Sequence, residues 1–472
     1  DFAFIFLQPK PGTDVIWING IVKIIIDEGL RDKNFIEAHT ENFEEFKSSL
    51  GKFSPEYVEK ETGIPKEKLR EAALLYARTK KAMLFYAMGI TQHTCGTDNV
   101  KALSNLVMLT GHIGFPSTGL MPIRGQNNVQ GACDMGALPN VFPGYQKISD
   151  ETVRIKFEHS WKVQLPQSPG LCETEMFSSE NLRAMYIMGE NPALCEPNLN
   201  NVKNFLALGR LELVVVQDIF LTETAKYADV ILPATSFAEK DGTFTNCDRR
   251  IQRVRKAVQP PGQALADWEI LCELSRIMGY KMKYKSPVQI MDEIASLTPI
   301  YGGIDYSRLE SIEGLQWPCP DKKHPGTQYL HKGGNFSRGK GRFFSVEYKP
   351  PKELPDAEFP FTLTTGRLYE HWHTSEMTGR IALLQREQPK PYVEINPTDA
   401  EELGIKNLQE VKVISRRGYI TLQALIINRI PRKVVFIPFH YARAPANMLT
   451  IDALDPESKI PEFKVATVRI EK

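Results

Sequence analysis

Three short apolar runs constrain this chain most: RAMYIMGENP (183–192), LELVVVQDIF (211–220) and ADVILPATSF (228–237). An earlier run, AMLFYAMGI (Ala82–Ile90), has the same character. Short, apolar and without in–out alternation, such runs read as strands buried in a parallel sheet. Helical stripes lie between them. Apolar residues at Val15, Ile18, Ile21, Val22, Ile25 and Ile26 predict a helix from Asp14 that closes at Gly29. Ser54-Pro55 and Ile64-Pro65 open two more, with proline at the first helical position of each. DNVKALSNLVMLT predicts another, ending at Gly111. Strands alternating with helices imply parallel sheets with helices on both faces, and ligands of such sheets bind outside the carboxyl ends of the strands. Gly189, Asn191, Asp218 and Thr222 sit at such ends. Closing a turn is the other role open to each of them.

A length of 472 residues is more than one hydrophobic core organises, and about two to four domains are expected. From Phe359 the pattern changes. FTLTTGRLY, EVKVISRRGYITLQALI and KVVFIPFHY alternate apolar and polar residues, with Arg417-Gly418 marking a hairpin turn. This end reads as a separate β-rich domain, a small barrel. Residues 285–355, rich in Pro, Gly and Lys, read as a long connection with little core. At the start, DFAFIFLQPKPGTD reads as the tail of a strand and a loop. The expectation is that an amino-terminal portion precedes it, and that Phe2, Phe4, Ile5, Phe6 and Leu7 leave apolar surface there.

The richest chemistry lies in RGQNNVQGACDMG, from Arg124 to Gly136. Arg124 offers a planar fork for a carboxylate. Gln126, Asn127, Asn128 and Gln130 add amide donors and acceptors, while Gly125 and Gly131 let the backbone approach a bound group. Three further clusters are LPATSFAEKDGTFTNCDRRIQ, TTGRLYEHWHTSEMTGR and FHYARAPANMLTIDALDPESKIPEFK. His371 and His373 resemble a metal pair but lack a third ligand, so a solvated or hydrogen-bonded loop role is expected of them. No GxGxxG follows a strand and no GxxxxGK[ST] is present, so the strand ends stand without the usual nucleotide motifs. A net charge of +1 argues against nucleic acid as the main partner, and no apolar run reaches the roughly 18 residues of a membrane span. Seven cysteines, none in a CxxC pair, suit neither zinc nor an iron–sulfur cluster and point to a reducing compartment, the cytoplasm.

At these four clusters the sequence resembles the molybdopterin oxidoreductases, most closely the formate dehydrogenase catalytic (alpha) subunits. MLTGHIGFPSTGLMPIRGQNNVQGACDMGALPNVFPGYQ is nearly a signature of that subfamily. The AEKDGTFTN cluster and the terminal AN-LT-ALDP-KIPEFK pattern are shared more widely across the superfamily. The resemblance covers essentially the whole chain and corresponds to the carboxyl-terminal two-thirds of such a subunit. It implies an α/β fold: two related Rossmann-like parallel-sheet domains followed by a β-barrel. The divisions expected are 1–125 (pterin-binding), 126–355 (guanine dinucleotide-binding plus linker) and 356–472 (barrel).

The cofactor so implied is molybdenum or tungsten held by two molybdopterin guanine dinucleotides. By the same resemblance Met88, Gly89, Gln92 and Gln126 would lie along one pterin. Gly189, Asn191, Asp218, Thr222, Gly242 and Asp267 would receive a guanine nucleotide. Arg367, His371, His373, Thr374 and Asn447 would approach from the barrel, all lining one cleft. Arg124 would orient formate, which is oxidised to CO2 or formed from it. The family's [4Fe–4S] cysteines, its cluster-to-pterin lysine and its metal-ligating cysteine or selenocysteine are not in this sequence and are expected on a segment before residue 1 or on a partner chain. Cys95 and Cys133 do not match that ligand. Electron-transfer subunits are the remaining partners implied. Two other readings stand: another molybdopterin oxidoreductase, such as a nitrate reductase, and a metal-free scaffold within a redox complex.

Overall fold

The computed structural model describes residues 2–207 and 209–472. The chain forms two compact units: Asp1–Met121, Pro192–Asn204 and Tyr329–Lys472 make one, and Pro122–Asn191 with Phe205–Gln328 the other.

The second unit contains the parallel sheet that the three apolar runs predict. Ala184–Met188, Leu213–Asp218 and Val230–Pro233 pair in that order and in parallel, with Ile187 opposite Val216 and Val216 opposite Ile231. The strands are not buried on both faces as expected: Ile187, Val214 and Val216 are buried, whereas Tyr186, Met188, Val230 and Ile231 are exposed, because only one face of the sheet is packed. The carboxyl ends deliver Gly189, Asn191 and Asp218 together. A three-stranded antiparallel sheet, Gly242–Thr245, Arg250–Val254 and Leu315–Gln316, comes next. Residues 285–355 are not the coreless connection expected. Met291, Tyr301, Ile304, Tyr306, Leu309 and Cys319 bury themselves with Ile251 into a cluster of their own. Proline and glycine break this stretch into short pieces without periodicity, so its aromatic core was invisible to a periodicity reading.

In the first unit the helix Asp14–Asp27 buries Val15, Ile18, Val22 and Ile25 and ends before Gly29, whose φ of +70° needs glycine. Ser54 Oγ caps Pro55–Thr62 by accepting from Tyr57 N–H at 3.2 Å. The next helix is Lys66–Arg78, and Pro65 is its cap residue, not its first turn. The Ala82–Ile90 run is also shorter than expected. Its strand is Met83–Tyr86, in a two-stranded sheet with alternating exposure, and a helical turn Met88–Thr91 replaces its end. One face of this sheet packs, with Leu84 and Tyr86 against the cluster of Ile18, Ala102 and Leu103, and on the other face Met83 and Phe85 are exposed. Residues 2–8 form no strand, yet Phe2, Phe4 and Phe6 are exposed as expected.

The barrel closes in the order Phe361–Gly366, Val434–Pro438, Tyr392–Ile395, Gly418–Ile426, Glu410–Ser415, Ala466–Glu471. Leu363, Val393, Val411, Val413, Val435, Ile437 and Val468 fill it, the inward half of a period-2 pattern. Ser415 pairs with Gly418, so the two-residue turn is Arg416-Arg417, one residue earlier than expected. Glu353, on another segment, holds both arginines at 2.8 Å and so fixes this turn.

Candidate functional site

Met88–Thr91 is one helical turn whose form depends on the residues immediately after it. His93 is 2% exposed; its Nε2 lies 2.9 Å from the Gly89 carbonyl and 3.6 Å from Asp14 Oδ2. Burial pushes the Asp14 carboxyl up, against the pull of His93. Thr94 donates through N–H and hydroxyl to Glu462 Oε1 at 3.3 and 3.2 Å, and Thr97 donates to Asp455 at 3.0 and 2.8 Å. Lys464 N–H reaches the Gln92 carbonyl at 3.3 Å. The ALDPESKIPEFK segment therefore staples the Met88–Gln92 loop to the barrel.

Lys464 also links Gln92 to the barrel loop. Its ammonium donates to the Thr365 carbonyl at 2.7 Å, and burial followed by the Arg367 charge lowers its pKa to about 8. Arg367 leaves the strand Phe361–Gly366, donates from Nη2 to His373 Nε2 at 3.2 Å, and lies over the Trp372 and Phe439 rings. His373, at φ +48°, is held down to about pKa 4 by burial, then by Arg367 and His440. His440, 1% exposed, accepts from Leu368 N–H at Nε2 (2.7 Å) and donates from Nδ1 to the His373 carbonyl. Burial, with His371 and Arg367 nearby, lowers it to about 4 as well.

His371 has both ring nitrogens engaged, Nδ1 with Thr378 Oγ1 and Nε2 with the Gln388 carbonyl, each at 3.3 Å. This is a hydrogen-bonded loop role. Thr374 is buried and donates to Glu376. Asn447 serves elsewhere, donating to the Cys195 carbonyl at 2.6 Å.

In the second unit the strand-end residues converge. Gly189, at φ +66°, donates its N–H to the Gln217 carbonyl at 2.9 Å. Asn191 Oδ1 accepts from Thr224 N–H and Oγ1 (3.0 and 2.8 Å) while its amide donates to Glu223. Asp218 caps its own turn by accepting from Ile219 and Phe220 N–H. Thr222, 4% exposed, accepts from Ala225 N–H. Asp267 opens the helix Asp267–Ile277, receives the Gln217 amide at 2.7 Å and is paired with Lys240. Asn191, Thr222 and Asp218 thus all shape turns, the second role open to them. Gly242 starts its strand with open space where a Cβ would lie, as does Gly189.

Arg124 is half-buried, and its Nε donates to Gln130 Oε1 at 3.2 Å. Gln126 is exposed. The loop is fixed from behind by Asn128, whose Oδ1 accepts from Thr245 N–H at 2.8 Å.

The Arg367 cluster of the first unit fits an anionic group. Arg367 Nε is buried without a hydrogen-bond partner, and the cluster around it consists of an arginine, a lysine and two histidines whose protonated forms are all disfavoured. A phosphate or another anion there would relieve that imbalance. Open backbone at Gly189 and Gly242 suits close approach of a nucleotide. Sequence reasoning missed His440, Lys464, Asp455 and Glu462 as site residues. The only signal for the last three was the ALDPESKIPEFK pattern itself.

The family model described as molybdopterin oxidoreductase matches residues 2–277, and one described as molydopterin dinucleotide binding domain matches residues 361–467. The F420-dependent formate dehydrogenase subunit alpha of Methanocaldococcus jannaschii is 52% identical over 473 residues, covering 99% of this chain and 70% of that protein. F420-dependent formate dehydrogenase 1 subunit alpha of Methanococcus maripaludis is 46% identical over 475 residues, with 100% and 70% covered. Acetylene hydratase from Pelobacter acetylenicus shares the fold, with a TM-score of 0.74 at 18% identity, over 100% of this chain and 72% of that one.

Proposed function

The chain belongs to the molybdopterin oxidoreductase family, and from that premise we propose that it forms the catalytic core of a formate dehydrogenase. It is an oxidoreductase that uses a molybdopterin cofactor. The observation that carries the substrate is Arg124: a half-buried guanidinium whose hydrogen bonding among the described residues is confined to Nε, leaving its outer edge for a carboxylate.

The cofactor proposed is molybdenum or tungsten with two molybdopterin guanine dinucleotides, and when bound it supplies the acceptor for the two electrons that formate gives up. The chain's own residues do the rest. Arg124 binds and orients formate, which gives up its C–H hydrogen as a proton together with two electrons and leaves as CO2. Arg367, His373, His440 and Lys464 receive an anionic portion of the cofactor, with Met88, Gly89, Gln92 and Gln126 along a pterin and Thr374 and His371 supporting the barrel loop. Gly189, Asn191, Asp218, Thr222, Gly242 and Asp267 form the nucleotide-facing strand ends, and Asn447 braces the barrel side. The three-part division at residues 1–125, 126–355 and 356–472 is the domain arrangement that goes with this reading.

The seven cysteines are all free, which favours a reducing compartment, the cytoplasm. Among the described residues no helix is long and apolar enough to cross a membrane. We place a [4Fe–4S] cluster outside these residues, with electron-transfer subunits as partners and F420, on which the two relatives depend by name, as the terminal acceptor.

The test uses the holoenzyme purified with its partners, its metal and pterin content determined by mass spectrometry, and formate-dependent reduction of a viologen dye. Arg124→Lys should lower kcat/KM for formate at least about tenfold, equivalent to about 1.4 kcal/mol, because a point ammonium cannot replace the fork. A metal-free preparation from native source would favour the scaffold reading. A loaded enzyme that turns over nitrate but not formate would overturn the formate assignment.

A further inference from the structure

The carboxylate of Asp134 is fully buried, yet among the described residues no cation is hydrogen-bonded to it. Its Oδ1 accepts from Gln130 Nε2 and Tyr145 OH, each at 2.8 Å, and its Oδ2 accepts from Tyr301 OH and Trp317 Nε1, each at 2.7 Å. Gln130 Nε2 also donates to the Tyr145 oxygen at 2.8 Å. Both amide hydrogens of Gln130 are therefore spent on this triangle. Its remaining atom, Oε1, faces Arg124 Nε.

This arrangement has only one sense. Four donors converge on the two Asp134 oxygens, so the carboxylate acts here as an acceptor and fixes which end of the Gln130 amide points towards it. Flipping that amide would set oxygen against carboxylate and NH2 against guanidinium. Two lost hydrogen bonds and two like-pole contacts oppose the flip. Burial and then Asp134 push the Tyr145 and Tyr301 phenols up, so both remain donors. Gln130 and Asp134 sit four apart in the helix Val129–Asp134 and so share a face. The helix is itself pinned: Asn128 receives Thr245 N–H, and a Cβ on Gly131 would lie 2.3 Å from Asn128 Oδ1.

A carboxylate can meet a guanidinium side-on, through Nε and one Nη, or end-on, through both Nη atoms. We propose that Gln130, locked by Asp134, occupies Arg124 Nε so that formate is taken end-on, with its C–H bond directed away from the guanidinium along the Cζ axis. Gln130 and Asp134 are positioning residues in this scheme. The inference rests on the assignment of formate to Arg124 and adds the orientation in which it is held.

Removing Gln130 frees Nε, and formate can then bind side-on with similar affinity but with its C–H bond misdirected. In the holoenzyme, Gln130→Leu should lower kcat for formate about tenfold while KM stays within about twofold. A residue that merely packs behind Arg124 would raise KM instead. Gln130→Glu supplies a second readout. Its carboxyl imitates the amide only when protonated, donating to Asp134, so the ratio of variant to wild-type kcat should rise as pH falls from about 8 to about 6. Should Gln130→Leu fail to fold, this pH profile decides. A flat profile, wild-type kcat in Gln130→Leu, or a raised KM with unchanged kcat would each overturn the proposal. A crystal structure of the holoenzyme with formate gives a readout apart from activity. Formate oxygens on Nη1 and Nη2 support end-on binding, and an oxygen on Nε overturns it. If the wild-type holoenzyme does not oxidise formate, the formate assignment fails, and the same structure still judges whether Gln130 holds Nε.

Discussion

His440 ties acid stability to the barrel loop. Its neutral form is built into the fold: Nε2 accepts Leu368 N–H at 2.7 Å and Nδ1 donates to the His373 carbonyl. Protonation at Nε2 would break the first bond and add charge beside Arg367. The folded value of about 4 against an ordinary 6.5 states this quantitatively. Between those two values the unfolded chain binds a proton that folded His440 refuses, so stability falls as pH drops through about 6.5 and stops falling below about 4. At about 1.4 kcal/mol per pKa unit the full penalty is about 3 kcal/mol, of which about 2 has accrued at pH 5. Replacement by glutamine removes the titration and leaves a donor and an acceptor at the site. Urea unfolding at pH 7 and at pH 5 should show wild type losing about 2 kcal/mol more than His440→Gln over that interval. His373 titrates in the same window, but it is present in both proteins and its effect largely cancels. Equal losses in the two proteins would refute the claim that His440 is held neutral by the fold.

Two further substitutions test the packing that presents the site. A Cβ on Gly96 would lie 2.1 Å from the Thr91 carbonyl, so Gly96→Ala should displace the Met88–Gln92 turn and cost about 1–3 kcal/mol in denaturant unfolding. Leu363 is fully buried in the barrel, and Leu363→Ala should cost about 2–5 kcal/mol in the same assay. An exposed substitution such as Leu408→Ala, a position 58% accessible, is the control and should move stability by less than about 0.5 kcal/mol.

How much was legible in the sequence depends on the range of the interactions concerned. Ala184–Met188, Leu213–Asp218 and Val230–Pro233 could be read because short apolar runs bounded by turn residues mark strands, and the barrel strands because their alternation follows the backbone's own period of two. The Arg124 segment stood out by its amides and glycines, but composition alone left a plain surface loop open, and the helix Val129–Asp134 within it came only from the structure. The Pro65 and Arg416 boundaries slipped by one residue, since capping and turn geometry depend on backbone angles that several sequences satisfy. Other features needed the fold. His440 meets His373 and Leu368 from 67 and 72 residues away, and Asp134 meets Tyr301 and Trp317 across 167 and 183. Nothing near either residue marks it as neutral, buried or positioning. The proton affinity of His440 and the partners of both are set by desolvation and hydrogen bonds that exist only once distant segments pack together. Sequence by itself determined the three parallel strands of the second unit, the barrel and the residue types offered to a ligand; tertiary structure alone decided which of those side chains are held neutral, which are locked in direction, and which remain open, because burial and hydrogen-bond geometry are properties of the packed chain.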